Sequence, residues 1–343
     1  MKSLTVIVPI YNLERYIGKC LGSVPVETGE VEVLVILDGS EDRSAEIARE
    51  YERQFPSVFK VVEKENGQYG SCVNTGLSLA SGRYVKILDG DDSFTDNAED
   101  FVSFLQGCDT DVIFSEWLSV NERGDTIVRS SVRLPVDKDL EMKDLVSHGE
   151  FRIHHFFLAY KTQFLRSIGY RQSEGLSYTD LEWNTIPFAF VRSIKYYPKA
   201  IYRYLRGREG QTVGMEYRSK NMWMENKVVL NLVKYYEENK DKIPEPNAVF
   251  LQSEIRFFII RIYKHYLILY PHSLKLSELA EFDKELNSNS TFFYRLVEDD
   301  VHKRKYGRFK YIKVFRKHFS RNGIPFLYLD LCMKLRKVIK GSR

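Results

Sequence analysis

The sequence predicts an α/β protein in which a mostly parallel, doubly wound sheet is flanked by helices and followed by a C-terminal helical module. Three observations lead to this prediction. Short apolar, β-branched runs alternate with segments of helical period in the first third of the chain, polar residues gather where those runs end, and long helical patterns begin near residue 215. Continuous apolar strands are typical of a sheet that is covered on both faces by helices.

The elements follow in order along the chain. The predicted strands are LTVIVPI, VEVLVIL, VFKVVE, YVKIL and DVIFSE, and the predicted helices between them are residues 13–24, 42–54, 68–80 and 96–106. Residues 117–150 are an irregular excursion with a hairpin turn at 121–125. Prolines are expected to interrupt the later helices at Pro244, Pro246, Pro271 and Pro325. We therefore expect a sheet domain over residues 1–214 and a helical module over residues 215–343.

Cysteine usage and hydropathy predict the cellular compartment of the protein. Its four cysteines are far apart and form no C-x-x-C pair, which predicts a reducing, cytoplasmic compartment. The N-terminal apolar run is cut at Pro9, so it is too short for the core of a signal peptide. The most hydrophobic region, 249–270, is interrupted by charged residues, so no membrane-spanning helix is predicted.

The charge is concentrated at the C-terminus. The net charge is +4, but residues 302–343 contain 14 Lys and Arg against one acid, which leaves about −9 on the rest of the chain. Basic and apolar residues alternate there at helical spacing, which predicts an amphipathic helix that either lies on an anionic membrane surface or packs on its own protein. The tail has no recognisable nucleic-acid module, so nucleic acid is not an expected partner.

Three carboxylates, Asp89, Asp91 and Asp92, follow the fourth predicted strand within four positions. Ligands bind beyond the carboxyl ends of the strands in such sheets. Carboxylates this close raise one another's pKa, and a divalent cation, Mn²⁺ or Mg²⁺, is the simplest compensation, with a bound diphosphate sharing the ion. The alternative is a solvated Asp-Gly turn.

Polar residues after the first two strands predict a nucleotide site. PIYNLERY stands where a glycine-rich fingerprint would be, which argues against nicotinamide or flavin binding. Asp38 can accept a hydrogen bond from a pyrimidine ring N–H, and Tyr11 can pack on the base. The alternative for the DGSEDRS segment is a turn into a helix capped by Ser40 or Asp42.

Three segments together resemble the family 2 glycosyltransferases of the GT-A fold, of the bacterial surface or capsular polysaccharide type: VIVPIYNLERYIGKCLGSV, VILDGSEDRS and KENGQYGSCVNTGLSLASGRYVKILDGDD. They correspond to that family's P-x-Y-N loop, D-D-G-S-x-D turn, E-N-G segment and D-x-D metal motif. The resemblance implies a GT-A-like, Rossmann-type domain that binds a nucleotide sugar with Mn²⁺ or Mg²⁺. It assigns metal ligation to Asp91 and Asp92, and nucleotide binding to Pro9, Tyr11, Asp38, Asn66, Gly67, Asn74 and Asp91.

Two later segments extend the resemblance. EGLSYTDLEW resembles the family's catalytic segment, which implies that Asp180 is the general base, with Glu182 in reserve; the alternative for Asp180 is a helix N-cap. YRYLRGREGQTVG contains Arg206, Arg208, Gln211 and Thr212 in a loop that either closes over phosphates, with Arg206 binding the nucleotide, or is a solvated surface loop. His154 and His155 are expected to pack rather than to bind metal.

The predicted function is inverting, metal-dependent transfer of a hexose from a nucleotide diphosphate sugar, UDP-linked by preference, to a hydroxyl of a glycan or lipid-linked acceptor in cell-surface polysaccharide synthesis. The expected location is the cytoplasm, with peripheral contact at the inner face of the membrane. Departures from the family pattern at Leu37, Val73 and Thr179 keep open a catalytically weakened binding or assembly subunit. A nucleotidyltransferase is the second alternative, although its usual basic phosphate loop is missing from PIYNLERY.

Overall fold

The computed structural model describes residues 2–319 except residues 131, 133, 137, 149–151, 209, 210, 212, 213, 271–273, 305 and 306. The described part divides into two compact units. The first consists of Met1–Val228 with Asn239–Leu251, and the second of Val229–Glu238 with the residues from Gln252 onward. The predicted boundary at residue 214 stays a sequence-based prediction.

The first unit is built on one sheet. Its strands are β1 (Leu4–Ile10), β2 (Val31–Asp38), β3 (Phe59–Lys64), β4 (Tyr84–Ile87), β5 (Ser93–Phe94), β6 (Val112–Val120), β7 (Thr126–Arg129), β8 (Leu158–Lys161) and β9 (Ile194–Leu205). Their order is β3-β2-β1-β4-β8-β6-β9-β5, with β7 paired to β6. The four strands β3, β2, β1 and β4 run parallel to one another, as predicted. The sheet is nevertheless mixed, because β8 runs antiparallel to both β4 and β6.

The helices of the first unit flank this sheet. They are α1 (Ile17–Gly22), α2 (Ser44–Gln54), α3 (Gln68–Leu79), α4 (Ala98–Gln106), α5 (Met142–Ser147), α6 (Thr162–Ser167) and α7 (Asp180–Trp183). The first four confirm the predicted helices, although α1 begins four residues later than expected because residues 12–14 are bonded to the loop after β2. The α/β prediction, with helices on a sheet and a helical C-terminal region, is confirmed.

Register explains why one edge of the sheet carries the polar loops. All seven residues of β1 are buried, which is what its unbroken apolar run requires. Ile10 of β1 pairs with Leu37 of β2, and Ile7 pairs with Ile87 of β4. The loops that follow these three strands therefore start at the same edge. The predicted hairpin at 121–125 is also confirmed, since it joins β6 to the fully exposed strand β7.

The later helices are α8 (Met215–Asn239), α9 (Glu245–Lys264), α10 (Leu276–Asn289), α11 (Thr291–Leu296) and α12 (Tyr311–Phe319). Pro244 precedes α9, as predicted. The prediction that Pro246 interrupts a helix is wrong: it lies in the first turn of α9, where a missing N–H costs no hydrogen bond. Pro271 and Pro325 lie outside the described residues.

The basic tail is only partly the amphipathic helix that was predicted. Its beginning is a hairpin of β10 (His302–Arg304) and β11 (Gly307–Phe309). Helix α12 packs within its own unit, because Tyr311, Ile312 and Phe315 are buried and Arg316 Nε lies 2.8 Å from Asp283 Oδ1. Residues 320–343 lie outside the described part of the chain. None of the helices formed by the described residues combines the length and the apolar character needed to cross a bilayer.

Candidate active site

The loops after β1 and β2 are bonded to each other. Asn12 has a positive φ of 51°, and its Oδ1 accepts a hydrogen bond from Glu41 N at 2.9 Å. Leu13 N donates to Ser44 Oγ at 2.9 Å, and Glu14 N donates to Asp42 Oδ2 at 2.8 Å. Asp42, offered with Ser40 as a possible helix cap, thus ties two loops together, and its Oδ1 also accepts a hydrogen bond at 3.0 Å from the N–H of Ser44, the first residue of α2. This pairing fixes the edge of the site.

Pro9 and Tyr11 begin this edge, and their environments differ. Pro9 is buried inside β1, where it pairs with Ile36 of β2. Tyr11 follows the strand and is 53% exposed. Of these two residues predicted at the nucleotide, only Tyr11 presents its side chain to solvent.

The structure brings together Asp38, Asn66 and Gly67, which the sequence assigns to the nucleotide. Asp38 lies at the end of β2 and is 3% exposed. Its Oδ1 accepts hydrogen bonds from Gly67 N at 2.9 Å and from Lys64 Nζ at 2.8 Å, and its backbone carbonyl accepts one from Asn66 Nδ2 at 3.0 Å. A buried carboxylate needs such partners. Lys64, which the sequence argument did not single out, therefore bonds the Asp38 carboxylate that was assigned to the nucleotide's pyrimidine ring.

Asn74 faces a different segment. Its Nδ2 donates to Gln172 O at 2.9 Å, and its Oδ1 accepts from Gln172 N at 2.9 Å. These two bonds tie α3 to the segment that leads into α7. The structure therefore gives Asn74 a partner among the residues before Asp180, and its assignment to the nucleotide stays a prediction.

The three aspartates after β4 form a compact cluster. Asp89, Asp91 and Asp92 each offer a carboxylate oxygen within 4.8 Å of the others. Asp89 Oδ1 accepts a hydrogen bond from Tyr69 OH at 2.8 Å, and Asp89 Oδ2 lies 3.1 Å from His155 Nε2. The alternative of a solvated turn does not describe this loop, because its side chains are buried or partly buried.

The other two aspartates are held from β9 and the loop after it. Asp92 is 2% exposed; its Oδ2 accepts a hydrogen bond from Tyr202 OH and its Oδ1 accepts one from Leu205 N, both at 2.7 Å. Asp91 Oδ2 accepts a hydrogen bond from Arg208 Nε. The guanidinium group of Arg208 also lies 5.3 Å from the centre of the Tyr16 ring.

Electrostatics within the cluster are uneven. Burial raises the pKa of Asp92 well above its usual range, and the charges of Asp91 and Asp89 raise it further. Burial also raises the pKa of Asp91, although Arg208 opposes the change. The pKa of Asp89 is lowered, because His155, Tyr69 and Arg208 together outweigh the effect of burial. The ionised forms of Asp91 and Asp92 are therefore disfavoured despite the protein donors around them.

A divalent cation fits this donor set. Carboxylate oxygens are the ligands that Mg²⁺ and Mn²⁺ prefer, and the charge of a bound cation would oppose the burial and the carboxylate repulsion that raise the pKa values of Asp91 and Asp92. Both oxygens of Asp92 already accept hydrogen bonds, so Asp92 would bind a cation through its remaining lone pairs, whereas Asp91 is bonded through Oδ2 alone among the contacts described.

Two residues near the cluster were missed. His155 was expected to pack, and it does pack against Phe156, but its ring also faces Asp89. Lys86 of β4 is fully buried; its Nζ donates to the carbonyl oxygens of Phe156 at 2.6 Å and Leu158 at 3.2 Å. The signal for Lys86 was a single charge inside the apolar run YVKIL. His154 is exposed and stacks on Phe157.

Asp180 is the first residue of α7 and is partly buried. The N-cap position is Thr179, which makes no side-chain cap, so the capping alternative for Asp180 is wrong. The segment before Asp180 contacts the start of α3, where Ser177 Oγ lies 3.3 Å from Gln68 Oε1, and the next residue, Tyr69, donates a hydrogen bond to Asp89. Burial raises the pKa of the Tyr69 hydroxyl, and the charges of Asp89 and Asp180 raise it further. Glu182, held in reserve as a base, is 2% exposed and accepts hydrogen bonds from Ser173 N and Oγ at 2.7 and 2.6 Å.

The arginine loop after β9 reaches the site through Arg208. Arg206 is exposed, and its backbone N donates to Val120 O at 2.8 Å. Gln211 is buried and pins the loop, donating to Leu205 O at 2.6 Å and accepting from Gly207 N at 2.9 Å. Thr212 lies outside the described residues. The side chain next to the acidic cluster is therefore that of Arg208.

Comparison with known sequences gives a consistent result. Residues 5–169 match the family model for Glycosyl transferase family 2. The glycosyltransferase GlyA of Streptococcus pneumoniae is 36% identical over 121 residues, which are 35% of this chain and 17% of GlyA. The minor teichoic acid biosynthesis protein GgaB of Bacillus subtilis is 36% identical over 91 residues, which are 26% of this chain and 10% of GgaB. The matches thus span less than a fifth of either relative.

Solved structures share the fold over more of the chain. Staphylococcus aureus TarS 1–349 in complex with UDP-GlcNAc has a TM-score of 0.60 at 21% identity, covering 87% of this chain and 84% of TarS 1–349. The mannosyltransferase PcManGT of Pyrobaculum calidifontis, in complex with GDP-Man and Mn²⁺, has a TM-score of 0.51 at 17% identity, covering 86% of this chain and 77% of PcManGT. At these identities the likeness concerns the fold.

Proposed function

We propose that this chain, whose residues 5–169 match the model of glycosyltransferase family 2, transfers a hexose from a UDP-linked donor to a hydroxyl of a glycan or lipid-linked acceptor, with inversion at the anomeric carbon. The observation that carries the proposal is the position of Asp180. Three residues before it, Ser177 Oγ lies 3.3 Å from Gln68 Oε1, and the hydroxyl of the next residue, Tyr69, donates a hydrogen bond to Asp89 of the acidic cluster. A proton acceptor and a candidate diphosphate–metal site therefore lie close together.

The donor would lie along the edge formed by the loops after β1, β2 and β4. The residues assigned to the nucleotide are Pro9, Tyr11, Asp38, Asn66, Gly67, Asn74, Asp91 and Arg206. Asp91 and Asp92 would hold Mn²⁺ or Mg²⁺, which when bound would offset the charge of the leaving diphosphate. Arg208 is added to this set because its guanidinium group contacts Asp91, from where it can pair with phosphate oxygens.

Asp180 would act on the acceptor. In a single inverting displacement the acceptor oxygen attacks the anomeric carbon from the side opposite the diphosphate, and its proton must go to a base on that side. A carboxylate of Asp180 accepts that proton as the bond to the sugar forms and the bond to the diphosphate oxygen breaks. Glu182 is unsuited to this step, because both its oxygens hold Ser173.

The choice of UDP and of a surface glycan has support from similar proteins. TarS was solved with UDP-GlcNAc and with UDP, and GgaB is named for minor teichoic acid biosynthesis. The side chains that depart from the family pattern, Leu37, Val73 and Thr179, are all buried, so none of them is presented to solvent.

Donor hydrolysis tests the proposal without an acceptor. The chain is incubated with UDP-glucose, UDP-galactose, UDP-GlcNAc or GDP-mannose, with Mn²⁺, Mg²⁺ or EDTA, and release of nucleotide diphosphate is followed. We expect slow release from one UDP-sugar that needs the cation and stops with EDTA. Release that is equally fast in EDTA, or confined to GDP-mannose, would contradict the metal or the UDP assignment respectively.

A further inference from the structure

Tyr178 has an unusual backbone two residues before the proposed base. Its φ is +68°, in the left-handed region that glycine adopts freely and that a bulky side chain rarely adopts. Such strain persists only where the surrounding structure enforces it, and it concentrates at functional sites. The question is therefore what holds residues 177–180 in this conformation.

The first turns of α8 contact this segment. Ser177 Oγ and Tyr217 OH are 2.7 Å apart, and Ser177 N lies 3.5 Å from the sulfur of Met224. The rings of Tyr178 and Tyr217 meet edge to face with their centres 6.4 Å apart. The guanidinium group of Arg218 lies over the Tyr178 ring, 5.6 Å from its centre. Two consecutive residues of α8, Tyr217 and Arg218, thus pack against the Tyr178 ring.

Arg218 is itself anchored. Its Nη1 lies 3.3 Å from Glu225 Oε2, and the two side chains are 12% and 0% exposed. A fully buried carboxylate needs a cation close to it, so this pair restricts where the guanidinium group can lie. The ring of Tyr178 therefore packs against a guanidinium group whose position is already fixed.

The opposite side of the segment rests on the start of α3. Ser177 Oγ lies 3.3 Å from Gln68 Oε1, and Gln68 also has a positive φ, of 66°. Gly175 N donates to Gly67 O at 2.9 Å. Gly70 allows the close approach of the segment, because a Cβ there would lie 2.0 Å from Ser173 O. The segment thus lies between the proposed donor site and α8.

We propose that Tyr178, Tyr217 and Arg218 form a clamp that positions Asp180 for proton transfer from the acceptor. The inference rests on the proposed function, because it assumes that Asp180 is the base. The three clamp residues are positioning residues: they act on Asp180 through the backbone of residues 177–179. The clamp residues contact the segment that leads into Asp180, so we expect the clamp to change turnover more than donor affinity.

Four variants test the clamp: Tyr178→Ala, Tyr178→Gly, Arg218→Met and the control Lys220→Met, whose side chain is 69% exposed on the same helix. We measure kcat for transfer, the Kd for UDP with Mn²⁺ and the melting temperature. We expect kcat to fall about 10–100-fold in Tyr178→Ala and Arg218→Met, the cost of a small misplacement of a catalytic group. We expect Kd to change less than about twofold. Tyr178→Gly keeps the backbone conformation accessible, so its kcat should lie between those of the wild type and Tyr178→Ala.

A double-mutant cycle separates the clamp from the base. In the Asp180→Asn background, Tyr178→Ala should cause no further loss of kcat, because the clamp has no base left to position. Normal turnover of Asp180→Asn would overturn the proposed function and the clamp with it. Loss of turnover in Asp180→Asn, with clamp variants that are normal, fully additive with Asp180→Asn, or impaired only near their melting temperature, would overturn the clamp alone.

Discussion

The acidic loop after β4 and the segment that leads into α7 are constrained in different ways. Asp91 and Asp92 continue directly from a buried strand, and side chains from distant elements compensate their charge. Tyr178 and Asp180 belong to a segment outside the strands, whose backbone conformation is held by packing. The first region is constrained by electrostatics and the second by conformation. Substitutions should therefore affect binding in the first region and turnover in the second.

The largest effect expected from this difference is at Asp180. Asp180→Asn keeps the size of the side chain but removes the proton acceptor, so kcat for transfer should fall about 10²–10⁴-fold, the usual contribution of a general base. Donor affinity and melting temperature should change little. Enzyme kinetics, calorimetry and thermal unfolding on this variant check all three expectations. A large loss of UDP affinity would remove the separation between the two regions.

A second effect is expected at Asp92. Asp92→Asn should weaken Mn²⁺-dependent UDP binding about 10–100-fold, because the ion loses a carboxylate or, at the least, the group that orients its neighbours. The matched control is Asp96→Asn, whose side chain is 99% exposed four residues later. Calorimetry with and without Mn²⁺ decides the matter. Unchanged affinity for UDP that still requires the metal would exclude Asp92 as a ligand.

The same difference explains what the sequence could predict. The strands β1–β4 and the helices between them follow from local apolar runs, and the acidic cluster follows from three charges in four positions. The antiparallel strand β8 could not be predicted, because its four residues, LAYK, acquire their direction only by pairing with β4 and β6. Charge can be read in a sequence, whereas strand direction depends on distant partners.

The site residues divide in the same way. Asp38 and Gly67 were both assigned to the nucleotide from the sequence, and in the structure Gly67 N donates a hydrogen bond to Asp38. Arg206 was predicted to bind the nucleotide, but Arg208 is the arginine that contacts the acidic cluster. Residue type could not distinguish the two, because they lie two positions apart and only the path of the loop decides which one reaches the cluster. The left-handed backbone conformation of Tyr178 could not be predicted from the sequence, because glycine is the residue that usually indicates such a conformation and this position is a tyrosine.

The smallest effect expected concerns Lys86, which adds a buried amine near the acidic loop. Its Nζ lies 5.5 Å from the centre of the Tyr202 ring, and the hydroxyl of Tyr202 is bonded to Asp92. Burial lowers the pKa of Lys86 to about 7 in the folded protein, whereas an unfolded lysine has a pKa of about 10.4. Between these values the unfolded chain keeps a proton that the folded chain loses, so the free energy of unfolding should rise with pH by up to about 1.4 kcal/mol per pH unit.

Lys86→Met should lack this contribution while filling the same space. Urea unfolding of both proteins at pH 7, 7.75 and 8.5 measures it, because the pH dependence of all other groups cancels when the variant is subtracted from the wild type. The sign is fixed by the lowered pKa: the wild type should gain stability relative to the variant as pH rises, by at most about 2 kcal/mol over this interval. Parallel curves would mean that Lys86 stays protonated. The carbonyl oxygens of Phe156 and Leu158, with the aromatic ring of Tyr202, would then suffice to hold a charge inside the sheet, and the acidic loop would lie near a permanent cation.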